Sequence, residues 1–109
     1  MATLTYKQPT ITGTDPAFAA AAVGGDKVAP NDRGYLHVKN ASVSPITVTV
    51  VVPGNTQFGQ PAPDVAVSVP AAGERIIGPF PAVLADPADG LVAITYSGVT
   101  TLTVAAITL

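Results

Sequence analysis

Ile46-Thr47-Val48-Thr49-Val50 alternates branched apolar and branched polar residues one for one. Successive side chains of a β-strand point to opposite faces, so this period of two buries Ile46, Val48 and Val50 and leaves Thr47 and Thr49 outside. The same grammar recurs outward along the chain in both directions. Asp64 to Val69 sets Val65, Val67 and Val69 against Ala66 and Ser68. Tyr35 to Asn40 sets Leu36 and Val38 inward and Tyr35, His37 and Lys39 outward. Further short runs cover Thr3 to Lys7, Thr10 to Thr14, Glu74 to Gly78, Leu91 to Ser97 and Thr101 to Leu109. In the last of these the alternation slips between Val104 and Ile107, which predicts either a bulge or burial of both faces.

Valine, isoleucine and threonine fill 34 positions, and such residues suit a pleated, half-buried surface. The 11 prolines and 10 glycines lie mostly between the runs, as turn punctuation does. With no amphipathic run of helix length, parallel βαβ architecture is excluded. The expectation is an all-β domain: an antiparallel β-sandwich or jelly-roll-like barrel of seven or eight short strands. At 109 residues it is a single domain, with a strand and an irregular arm over 1–33 and a regular core over 34–109. Within the arm, the alanine run Ala19 to Ala22 reads as one helical turn, followed by Gly24-Gly25.

The outward positions carry an anomaly. Only 11% of the chain is charged, against roughly 25% in an ordinary soluble domain. Thr, Ser and Ala occupy the solvent side of the strands instead, which suits a subunit that meets other protein over much of its area. A net charge of -2 with five scattered cations gives no footprint for nucleic acid or for an anionic lipid surface. The N-terminus has no basic region followed by an apolar run, so synthesis without an export signal is expected. No apolar stretch is long enough to span a bilayer as a helix.

Catalytic chemistry finds few residues to use. There is no cysteine, His37 is the lone histidine and Glu74 the lone glutamate. His-based triads and thiolate or multi-histidine metal centres are therefore restricted, and His37 reads as a surface or interface residue. The aspartates sit beside Pro, Gly or Asn, where they bond their own backbone to make turns. Asp86 and Asp89 before Gly90 lack the ligand series of a calcium loop. Asn40-Ala41-Ser42 matches a glycosylation sequon, with no export signal beside it. Neither catalysis, metal nor cofactor is expected.

Contact features are more numerous. Phe18 lies in the irregular Asp15–Arg33 segment, which is either a surface loop on its own domain or an arm that orders against a neighbour. Phe58 sits in the Pro53–Pro63 loop and invites the same two readings. Leu4 and Tyr6 on the N-terminal strand, with Tyr35 and His37 on the outer face of the next strand, complete the candidate interface residues.

Tyr35-Leu-His-Val-Lys-Asn40, Ile46-Thr-Val-Thr-Val50, Val69-Pro-Ala-Ala-Gly-Glu-Arg75, Ile77-Gly-Pro-Phe-Pro81 and Val92-Ala-Ile-Thr-Tyr-Ser97 form a series. From Tyr35 onward, that series resembles small virion proteins of tailed bacteriophages, especially those of actinobacterial hosts, and in particular head decoration (cement) proteins. The resemblance implies a compact β domain added to the outside of an expanded capsid, with the major capsid protein or other virion subunits as partners. It also implies a homo-oligomer and a place on the virion surface. A head–tail connector or tail subunit is the alternative within virions. A carbohydrate or adhesion module is the alternative outside them, although a chain with no Trp and three Tyr offers little to stack on sugar rings.

Overall fold

The computed structural model describes residues 2–55 and 57–109. Nine strands are found there: β1 (Ala2–Thr3), β2 (Ala19–Ala20), β3 (Asp26–Val28), β4 (Gly34–Asn40), β5 (Ile46–Val50), β6 (Val65–Val69), β7 (Gly73–Ile77), β8 (Val92–Tyr96) and β9 (Leu102–Thr108). A single 3-10 turn covers Ala82–Leu84. The strands form two sheets, ordered β1-β3-β8-β5-β6 and β2-β9-β4-β7. All pairings between these strands are antiparallel except the two-residue β1–β3 contact, and an isolated parallel bridge joins Lys7 to Ile107. The all-β sandwich expected from the alternation is the fold, and its sheets stay open without closing into a barrel.

Among the tight connections at which the chain changes sheet are Ala41–Pro45 between β4 and β5, Pro70–Ala72 between β6 and β7, and Ser97–Thr101 between β8 and β9. Each crossing turns an inward face toward the opposite inward face. Leu36, Val38, Leu102 and Val104 from one sheet meet Val28, Val48, Val69, Val92 and Ile94 from the other, and all are buried. Phe80 joins them from a loop. Its backbone pairs with that of Asn31 at 2.7 and 3.2 Å, which holds the ring in the core.

β9 settles the slipped alternation. Its register against β4 runs unbroken from Gly34↔Thr108 to Asn40↔Leu102, so there is no bulge. Val104, Ala105 and Ala106 are instead all buried in succession. Ala105 lies on the outer face opposite His37 yet is 3% exposed. Burial of both faces is the reason for the slip.

The N-terminal third departs from expectation in three places. The first strand is shorter than Thr3 to Lys7. Leu4 N–H still bonds the Lys27 carbonyl in one sheet, while Lys7 bridges Ala106 and Thr108 in the other, so the segment crosses the sandwich. Thr10 to Thr14 is a turn, closed by Gly13 N–H on the Thr10 carbonyl at 3.0 Å, with Gly13 at φ 95°. Ala19–Ala20 is extended, since pairing with Thr103 and Val104 on the β9 edge outweighs the helix propensity of alanine. Next, Gly24-Gly25 turns the chain back. Gly25 has φ 104°, and any Cβ there would collide with the Ile94 carbonyl, so glycine is required on both counts.

Candidate interaction surface

On the outer face of the β4–β7 sheet a cluster joins two of the six interface candidates, Phe18 and His37, with Tyr35 on the same face. Because β4 alternates, Tyr35, His37 and Lys39 point away from the core, and antiparallel pairing sets Glu74 directly across from Lys39. Glu74 Oε1 stands 3.0 Å from His37 Nε2 and 3.9 Å from Lys39 Nζ. Phe18, arriving just before β2, places its ring edge-on to His37 at 5.1 Å between centroids. Lys39 Nζ sits 4.2 Å from the centre of the same ring. A partly exposed ion pair adds ~0–1 kcal/mol and an exposed cation–π contact about 0.5–1 kcal/mol. The cluster is suited to pinning the Asp15–Arg33 segment onto its own domain. Among the described residues, the hydrogen-bond partner of the His37 ring is the Glu74 carboxylate.

The other candidates divide by burial. Leu4 and Tyr6 pack against the core. The Tyr6 hydroxyl donates to the Ala29 carbonyl at 2.7 Å, and burial pushes its pKa up to about 12. Its ring fills the space a Cβ on Gly34 would need, which explains a glycine at the start of β4. Tyr35 is half-buried. Phe58 is free of the domain, at 84% exposure.

Two buried polar centres escape sequence reasoning. Asp26, 1% exposed, accepts the Tyr96 hydroxyl at 2.7 Å and Ala22 N–H at 3.3 Å. Burial, and then the Asp26 carboxyl beside it, raise the Tyr96 pKa far above the ordinary phenol value. Asn40 is equally buried. Its Nδ2 donates to the carbonyls of Ser44, Val69 and Pro70, and its Oδ1 accepts from Ser42 N–H and Oγ. It ties two sheet crossings together, and the sequon asparagine offers no accessible amide.

Asp86 Oδ1 accepts Ala88 N–H at 2.9 Å and Asp89 Oδ1 accepts Leu91 N–H at 3.0 Å, as turn aspartates do. Asp89 also pairs with Lys27, whose hydrogen bond holds its carboxyl below the usual range. Among the described residues, no three His, Cys, Asp or Glu side chains come together as a metal site, and no helix is long and apolar enough to cross a membrane.

A second surface was not anticipated. Between the β6 and β7 edges the sandwich opens into an apolar groove of about 280 Å³, lined by Val50, Val65, Val67, Ile77, Phe80 and Leu84. Val65 is 50% exposed, Ile76 on the lip 65%, and Val83 nearby 78%. Alternation had put Val65 and Val67 on an inward face, which holds. It could not reveal that this face lies at an unsealed margin. Lack of charge from Val65 to Val69 could not mark it either, because the interior strands β5 and β8 are equally uncharged.

No protein family, characterised protein or solved structure matches this chain.

Proposed function

We infer that the chain is a structural subunit of a phage particle, a head decoration protein that binds the outside of the capsid and stabilises it. The observation that carries this reading is the surface itself. Ile11, Val23, Val43, Phe58, Ile76 and Val83 are all strongly exposed on a domain only 11% charged. Scattered exposed apolar residues are ordinary. Here they come with too little charge to balance them, as suits a subunit enclosed by neighbours on several sides. A specific interface takes about 800 Å² from each partner, so two or three neighbours would cover roughly a quarter to two-fifths of a total surface of 6228 Å². The series of phrases from Tyr35 to Ser97 that resembles virion proteins supports the same reading.

The role requires shape and contact chemistry, with no reaction to perform. Rigid two-sheet packing would present Phe58 and the loop around it to the lattice, while the Phe18 cluster keeps the N-terminal segment in place. The test is co-sedimentation of purified protein with expanded capsids that lack it. Saturable binding in hundreds of copies per particle is expected. Failure to bind any expanded shell would remove the decoration role, and saturation at tens of copies or fewer would point to a connector ring.

A further inference from the structure

Each sheet of the sandwich has one two-residue edge and one five-residue edge, the long ones being β6 and β7. A five-residue edge presents unpaired N–H and C=O groups, and proteins usually blunt such an edge with charge or with a group that occupies it. β7 is blunted. It carries Glu74 and Arg75, and the Arg75 guanidinium donates to the Glu74 carbonyl at 2.7 Å. That carbonyl lies on the free side, because Gly73, Arg75 and Ile77 face Asn40, Val38 and Leu36 across the ladder, whose odd-numbered residues bond β9 instead.

β6 has no such protection. It reads Val65-Ala66-Val67-Ser68-Val69, without charge or proline, and is bounded by Asp64 and Pro70. On β5, Thr47 and Val51 bond β8, so Ile46, Val48 and Val50 bond β6 at Val69, Val67 and Val65. The backbone groups of Ala66 and Ser68 therefore point outward from the sheet, and both residues are exposed.

We propose that this edge pairs with β6 of a second copy, antiparallel about a two-fold axis at Val67, joining two five-stranded sheets into one. The occupant follows from the register. With Val67 opposite Val67, Ala66 of one copy faces Ser68 of the other. In an antiparallel ladder, directly opposed residues alternate between hydrogen-bonded and non-hydrogen-bonded pairs. This register makes both Ala66–Ser68 pairs hydrogen-bonded, so every outward N–H and C=O of both residues in both copies finds a partner. Val65 meets Val69 on the inward face, only Ala and Ser meet on the outward face, and no charge is brought against another. A two-fold interface must be self-complementary, and the near-palindrome V-A-V-S-V meets that condition. The same axis turns the two grooves toward each other, covering Val65 and Val67. The pairing does not depend on the virion reading and can be tested without capsids.

The experiment is sedimentation equilibrium of the full chain from micromolar to millimolar concentration, beside Ser68→Pro. Proline removes an N–H that the domain itself does not use, and edge strands accept it where the N–H faces outward. A dimer is expected for the wild type, and at least a tenfold weaker association for Ser68→Pro at unchanged circular dichroism. A wild type that stays monomeric throughout, or a folded Ser68→Pro that dimerises equally well, would overturn the proposal. A second readout covers the case in which Ser68→Pro does not fold. The chain has no cysteine, and the non-hydrogen-bonded Val67 pair brings Cα atoms to about 4.5 Å, within disulfide range. Val67→Cys should form a covalent dimer under mild oxidation, whereas Ile11→Cys, on the exposed Thr10–Thr14 turn, should not. Equal cross-linking of the two variants would overturn the proposal as well.

Discussion

Tyr96 donates its hydroxyl to Oδ2 of Asp26 at 2.7 Å, across 70 positions of sequence and at the point where β3 joins β8. The pair connects the irregular N-terminal segment to the regular core, and Asp26 is among the most deeply buried polar residues of the domain. Tyr96→Phe would leave Oδ2 with only the Ala22 N–H at 3.3 Å. Leaving a buried acceptor short of a partner costs about 1–3 kcal/mol. The urea midpoint of Tyr96→Phe should fall accordingly, with an unchanged slope.

The two perturbed phenols give stability a dependence on alkaline pH. Tyr6 and Tyr96 both have folded pKa values above the ordinary value of about 10, chiefly through burial. The folded state therefore holds these protons more tightly than the unfolded chain does. Their contribution is complete below pH ~10 and is lost as pH rises through the folded value, about 12 for Tyr6. Urea midpoints should be level from pH 7 to 9 and decline above 10. Tyr6→Phe should shallow that decline, and a decline of identical steepness in the variant would refute the assignment.

Asn40→Ala removes three donations and two acceptances at once, among them the buried donation to the Val69 carbonyl. A loss of at least ~2 kcal/mol is expected, read from thermal or urea unfolding. Asn40→Asp should be no milder, since a carboxylate cannot donate to those carbonyls.

The strand faces were legible because burial in a sandwich leaves a period of two that single residues cannot hide. Leu36 and Val38 face in and His37 and Lys39 face out, as the alternation of β4 requires. What escaped belongs to relationships the period does not encode. Phe80 stands in a Pro-Phe-Pro loop with no alternation, so its place in the core rests on backbone pairing with Asn31. Asp26 follows two glycines and reads as a turn residue, because its partner Tyr96 lies far along the chain. Alternation assigns Val65 to a face but says nothing of its strand's rank in the sheet, and rank decides that it is half exposed. His37 was readable as an outward residue. That Phe18 would fold onto it depended on β2 finding the β9 edge, a tertiary pairing with no local signature.

Phe18→Ala tests that anchoring. It removes the edge-on contact to His37 and the cation–π contact to Lys39, together worth about 1–2 kcal/mol. The loss should be local. Hydrogen exchange at Ala19 and Ala21 should quicken while amides of β4 and β5 keep their protection. Uniform quickening across the core would show that Phe18 supports the whole domain.

Phe58 separates contact from folding among the six interface candidates. Leu4 and Tyr6 pack on the core, so truncating either would weaken the domain and any assembly together, and binding data on such variants would be ambiguous. Phe58 is 84% exposed and contributes almost nothing to its own fold. Phe58→Ala should therefore unfold at the wild-type temperature. Aromatic side chains that anchor an interface cost ~2 kcal/mol or more when truncated, which is about thirtyfold in affinity. If the Pro53–Pro63 loop seats in a capsid lattice, Phe58→Ala should lose retention on expanded shells by that factor at unchanged stability. Retention equal to wild type would move the contact to another face of the sandwich.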